Sequence, residues 1–147
     1  MKIREAKISD LNNLSILFNS YRMFYGKESD LNVANKFLKS RIQNKDSKIF
    51  VCDIENYLTG FIQLYPLFSS TRVSKYWLLN DLFVDNAHRG KGYSKELINE
   101  AKRLVLKTNS CGMMLETEIN NKIGNSLYLN VGFKVNRLSN FYEWVPN

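Results

Sequence analysis

Leu82-Phe83-Val84-Asp85-Asn86-Ala87-His88-Arg89-Gly90-Lys91-Gly92-Tyr93 decides how this chain folds. Its first residues close an apolar run that begins near Lys75, its middle is a short basic stretch with two glycines, and Tyr93 opens a helical period. The order is strand, loop, helix. Such a loop offers backbone N–H groups at a helix N-terminus, where phosphate binds well. Asp81 stands at the C-terminal end of the strand, just before this run. A phosphate cradle beside a carboxylate points to an enzyme using a nucleotide-like cofactor.

Downstream, Tyr93, Leu97, Ile98, Ala101, Leu104 and Val105 recur at helical spacing, while Lys95, Asn99, Lys102 and Arg103 face away. Residues 112–119 read as a strand. A short helix spans 121–130 and ends near Gly132, with closing strands over 133–135 and 141–145. Upstream, residues 2–7 read as a strand, and Ser9 or Asp10 caps a helix carrying Leu11, Leu14, Leu17, Phe18 and Tyr21, which Gly26 ends. Asp30 caps a second helix with Ala34, Phe37, Leu38 and Ile42 on one side. Residues 49–54 and 57–65 form a hairpin about a tight turn at Glu55-Asn56, and Pro66 marks a bulge or an edge. The predicted order is β α α β β β α β α β β, an α/β fold: a mixed, mostly antiparallel sheet with one parallel βαβ unit and helices on both faces. In such sheets ligands bind beyond the carboxyl ends of the strands.

The 147 residues suit a single domain, 1–147, and the 44% hydrophobic and 24% charged fractions are those of a globular protein. No apolar run approaches the ~20 residues of a membrane span, and the N-terminus shows no signal peptide. The expectation is a cytoplasmic protein with no membrane partner. Cys52 and Cys111 are far apart, with no CxxC spacing, and read as reduced thiols; His88 is the only histidine. A multi-histidine metal site is therefore not expected, nor is any metal. The net charge of +7 is scattered rather than gathered on one element, which argues against nucleic acid and suits a small anionic cofactor equally well.

Arg89-Gly90-Lys91-Gly92 after the fourth strand, with Leu127-Tyr128 and Gly132-Phe133 about forty residues on, resembles the GCN5-related N-acetyltransferases over essentially the whole chain. Leu79-Asn80-Asp81-Leu82-Phe83-Val84 and the helix end Tyr21-Arg22-Met23-Phe24-Tyr25-Gly26 look most like the small-amine branch, the polyamine, diamine and Hpa-type enzymes. In the polyamine enzymes a Glu precedes the strand-end Asp; here Asn80 stands there and takes no proton.

The resemblance implies acetyl-CoA as donor. Its pyrophosphate would lie on N–H groups from His88 through Arg89, Gly90, Lys91 and Gly92 to Tyr93, with Ser94 the small residue that follows, and its pantetheine arm would reach Asn121, which otherwise caps the helix. Main-chain groups of Leu82, Phe83 and Val84 would supply an oxyanion donor where the strand splays from its neighbour. An alkyl amine of pKa near 10.4 is only about one part in two thousand neutral at pH 7, so a base is useful. Asp81 reads as that base, as an anchor for a cationic acceptor, or as a solvated strand-end carboxylate. Glu116 and Glu118 are backups that strand alternation places on one face. Tyr128 is the candidate acid for the leaving thiolate, a phenol that stays protonated at pH 7. Tyr21, Phe24, Tyr25 and Tyr76, with Asn80 and Glu116, are candidates for an amine pocket.

The function expected is acetyl transfer to a primary amine on a small molecule, a polyamine, diamine or amino acid, by direct attack through a tetrahedral intermediate. A protein lysine or N-terminal amine is the alternative acceptor, and a non-catalytic acyl-CoA-binding domain the alternative role. The apolar residues 141–145 suit either a homodimer contact or burial in the chain's own sheet.

Overall fold

Glu55 and Asn56 both take left-handed backbone, φ 52° and 69°. This two-residue turn matches the twist of the strands it joins, β2 (Lys48–Ile54) and β3 (Tyr57–Ser69). The computed structural model describes residues 1–146. They form two units, Met1–Glu116 and a second beginning at Thr117.

In the first unit β1 (Lys2–Glu5) leads through a 3-10 turn, Ile8–Asp10, to α1 (Leu11–Phe24), then α2 (Leu31–Asn44), β2, β3, β4 (Ser74–Val84), α3 (Tyr93–Lys107) and β5 (Met113–Leu115). The strands lie in the order β1-β2-β3-β4-β5, antiparallel except for the parallel pair β4–β5. The crossover through α3 makes that pair parallel. Pro66 lies where β3 has run past its partner β2 and pairs with β4 alone, an edge position that tolerates proline.

Helices cover both faces. Leu14, Leu17 and Phe18 of α1 and Ala34 and Leu38 of α2 pack on Ile49, Val51, Phe61 and Phe83. On the other face α3 contributes Leu97, Ile98 and Ala101, all fully buried against β2, β3 and β4. Burying each such leucine or isoleucine stabilises the fold by about 1.5–3 kcal/mol. Asp30 caps α2 by accepting the Val33 N–H at 2.9 Å, as expected. Asp10 does not cap α1 with its side chain; that carboxylate takes both Arg4 nitrogens, at 2.7 and 2.8 Å, and the Lys7 N–H.

The second unit contains α4 (Lys122–Asn130), capped by Asn121, whose Oδ1 accepts the Gly124 N–H at 3.0 Å. The predicted strand over 112–119 is only three residues long, so Glu116 and Glu118 lie outside it and strand alternation does not align them. The closing strands expected over 133–135 and 141–145 are absent; among the described residues no ladder forms there. Val135, Phe141, Tyr142, Trp144 and Val145 remain exposed there, Trp144 at 84%. Local propensity needs a paired neighbour to become a strand.

Candidate active site

Leu79 and Phe83 are four residues apart, yet they face opposite sides of the sheet. Leu79 shares its face with Trp77, whose Nε1 donates to Thr108 at the end of α3 at 3.0 Å, whereas Phe83 packs with α1 and α2. A regular strand would put both on one side. The pairing explains the reversal: Leu79 sits opposite Leu64 but Asp81 opposite Gln63, leaving Asn80 as a one-residue bulge. Sequence alone showed no bulge. Its effect is to turn Asp81 from the α3 face to the α1–α2 face.

There Asp81 is 4% exposed and held by two side-chain donors. Gln63 Nε2 donates to Oδ2 at 2.7 Å and Asn80 Nδ2 to Oδ1 at 3.0 Å. The Tyr21 hydroxyl lies beside them, 3.5 Å from the Asn80 carbonyl. Burial pushes the Asp81 carboxyl above the usual carboxylate range, against the lowering effect of Gln63, Tyr21 and Asn80. It is a buried base candidate rather than a solvated strand end. Ser47 donates to Gln63 Oε1 at 3.0 Å, which fixes the amide with its NH2 toward Asp81. Burial, then the Asp81 charge, pushes the Tyr65 phenol up to about 12. Gln63, Ser47 and Tyr65 were not foreseen as site residues. The one signal was a lone glutamine in the apolar stretch Phe61-Ile62-Gln63-Leu64.

Pairing between β4 and β5 stops at Leu79–Leu115, while β4 runs on to Val84. The outer edge beyond Leu79 therefore has no strand partner among the described residues. The Asp85 N–H donates inward to Thr59, and the Val84 carbonyl accepts from Arg89 Nε at 3.0 Å on the other side. By alternation, Leu82 and Val84 direct their main-chain groups to the open edge, and Phe83 does not.

The loop follows directly. A 3-10 turn, Asn86–His88, engages the His88 N–H with Asp85 and the Arg89 N–H with Asn86, so these two are not part of a cradle. The available donors lie further on. In α3 the first intrahelical bond runs from Glu96 N–H to the Gly92 carbonyl, so Tyr93, Ser94 and Lys95 have N–H groups without an intrahelical acceptor. Gly90 and Gly92 have φ of 76° and 80°, and a Cβ on either would meet nothing within 4 Å. The space in front of them is open. The Arg89 side chain turns away from the loop mouth, its guanidinium 5.6 Å from the rings of both Phe24 and Phe83. The His88 ring lies 5.7 Å from Tyr57.

Tyr21 and Tyr25 are brought together, ring centroids 5.1 Å apart, and line an open groove of about 340 Å³. Phe24 touches Tyr25 at 5.2 Å and connects that groove to Arg89. Tyr76 is not part of this group. It lies five residues before Asp81, about 16 Å along the strand, packed against Gly112 and beneath Arg72. Glu116, just past β5, is exposed. In the second unit Tyr128 is half-buried on α4, its ring 5.9 Å from Phe133, and the Asn121 side chain serves as the helix cap.

Among the described residues no group of three His, Cys, Asp or Glu is placed to hold a metal ion, and no helix is long and apolar enough to cross a membrane.

A mixed sheet with a glycine loop and a helix N-terminus in succession after its fourth strand suits a protein that binds a phosphate-bearing co-substrate. The chain belongs to the acetyltransferase (GNAT) family, whose model matches residues 14–133. It is 40% identical over 134 residues to the uncharacterized N-acetyltransferase YhfO of Bacillus subtilis, covering 91% of this chain and 90% of that one. It is 32% identical over 145 residues to a probable acetyltransferase of Haemophilus influenzae, covering 97% of each. A crystal structure of a probable acetyltransferase superposes with a TM-score of 0.94 at 33% identity, over 100% of this chain and 99% of the other. GNAT acetyltransferases use acetyl-CoA as co-substrate. The open ground before Gly90 and Gly92, and the first-turn N–H groups of α3, fit its phosphates.

Proposed function

We propose that this protein transfers the acetyl group of acetyl-CoA to the primary amine of a small molecule, as in the small-amine branch of its family, with Asp81 and Tyr128 as catalytic residues. The observation that carries the reading is the open main-chain edge of β4, which starts at the Asn80 bulge beside buried Asp81 and ends at the glycine loop. In this reading Gly90 to Lys95 hold the phosphates, and Leu82 and Val84 hold the pantetheine arm along the strand edge. Asn121 assists from α4.

The amine nitrogen attacks the acetyl carbonyl carbon, forming the C–N bond, and the carbonyl oxygen takes the charge beside a main-chain N–H of the β4 edge. Asp81 receives the amine proton, a role its burial favours because a carboxyl that binds protons more tightly is a better base. The C–S bond then breaks, and the Tyr128 hydroxyl protonates the departing thiolate. The proposal takes residues 1–147 as a single domain, supported by the family match over residues 14–133. A cytoplasmic homodimer completes the proposal, and the exposed Phe141, Tyr142 and Trp144 support the dimer.

Calorimetric titration with acetyl-CoA, followed by a free-thiol assay over a panel of amines, tests this. Binding with turnover on a small amine is expected. Binding with turnover only on a protein lysine or N-terminal amine, or with none, removes the small-amine reading, and no binding by folded protein removes the whole of it.

A further inference from the structure

The groove on the α1–α2 face carries more information about the acceptor than the family does. Phe18, Tyr21, Tyr25 and Phe37 give it an almost wholly apolar wall, with Phe18 and Phe37 stacked at 5.5 Å. Its charged lining residues are Arg22 and Lys27, both cationic, and no acidic side chain lines it. Two carboxylates stand near it without lining it: Asp30, whose Oδ1 is taken by the Val33 N–H at 2.9 Å, and Asp81, next to the Asn80 carbonyl that the Tyr21 hydroxyl meets at 3.5 Å from the groove wall. A volume of about 340 Å³ is within the range of small-molecule sites.

These charges select against a polyamine. A polycation needs several anionic or carbonyl partners, and here its second and third ammonium groups would meet Arg22, Lys27 and aromatic walls within a chain of net charge +7. The complementary ligand has one ammonium for Asp81, an apolar body for the aromatic wall, and an anionic group for the two cations. Arg22 already directs one nitrogen to the Asp30 carbonyl at 3.4 Å, a long contact that holds the side chain in place and leaves its remaining donors for an anion.

The geometry points to an acceptor that is an amine carrying both a bulky apolar body and a carboxylate, an aromatic amino acid being the simplest example, rather than a polyamine or diamine. This rests on the acetyltransferase reading above. The acetyl group moves to the amine as described there, so no further reactant is required.

The test compares kcat/KM in the free-thiol assay for phenylalanine and para-aminomethylbenzoate with their uncharged-tail counterparts, phenethylamine and benzylamine, and with spermidine. At least one carboxylate-bearing amine is expected to exceed its counterpart and spermidine about tenfold. In the double variant Arg22→Gln, Lys27→Gln that advantage collapses toward unity, chiefly through KM. Thermal melting and acetyl-CoA titration of the variant show that it is folded and loaded. Preference for spermidine, or an advantage that survives the double variant, overturns the inference while leaving acetyl transfer intact. Acetyl-CoA binding with no amine turned over also overturns it, whereas failure to bind acetyl-CoA removes the underlying reading first.

Discussion

Replacing Gly92 separates two demands that the loop makes on one residue. Its φ of 80° is left-handed, and nothing lies within 4 Å of the position a Cβ would take. Alanine therefore meets no protein atom, and its cost is conformational, about 1–2 kcal/mol for an L-residue in this region. For a domain of this size that lowers Tm by about 2–8 °C. Asparagine tolerates left-handed backbone and is a good helix N-cap, so Gly92→Asn changes stability by only a few tenths of a kcal/mol, about 1 °C. Both variants place atoms where the phosphates are proposed to lie. Losing one N–H bond to a charged acceptor costs about 1.5–3 kcal/mol, so acetyl-CoA binding weakens roughly ten- to hundredfold. Calorimetry measures the affinity and thermal melting the stability. If Gly92→Asn binds acetyl-CoA as well as the parent, the phosphates do not lie over Gly92 and the site is wrongly placed.

Asp81→Asn should lower kcat/KM about 10²–10⁴-fold, the usual contribution of a positioned base. Because the fold raises the Asp81 carboxyl above its ordinary value, the parent's stability relative to Asp81→Asn is greatest at low pH and declines as pH rises through the folded value, as denaturant titrations across pH will show. Asp10 has the opposite sign: the Arg4 guanidinium holds its carboxyl below the usual range, so its contribution is full above that range and lost as pH falls through the folded value. Asp10→Asn, which breaks a partly buried bidentate pair, should cost about 1–3 kcal/mol at neutral pH by urea titration. Gln63→Leu removes the 2.7 Å donor to Asp81 and should move the acidic limb that Asp81 sets in the kcat/KM profile to higher pH, while Gln63→Glu should not restore it. An unchanged profile in Gln63→Leu contradicts a role for Asp81 as base.

What the chain reveals without its structure depends on how locally each feature is encoded. The Glu55-Asn56 turn, the caps at Asp30 and Asn121, and the glycine loop before α3 are each set by residues next to one another, and all are found as read. The Asn80 bulge has no such signature. One extra residue changes no local propensity, and it shows only when Leu79 and Phe83 are seen to face different helices. The same non-local pairing brings Gln63 to Asp81, so the donor that fixes the candidate base lies eighteen residues away in sequence. Tyr76 was grouped with Tyr21 because both are aromatic; strand geometry places it at the far end of β4 instead. Residues 141–145 have the composition of a strand but pair with no described strand, because composition cannot specify a partner edge.

The most direct test of the central claim is amide hydrogen exchange with and without acetyl-CoA. New protection is expected at two places: Leu82 and Val84 on the open edge of β4, and Gly90 through Lys95 at the start of α3. Tight binding that leaves both sets of amides exchanging as in the free protein would contradict the account.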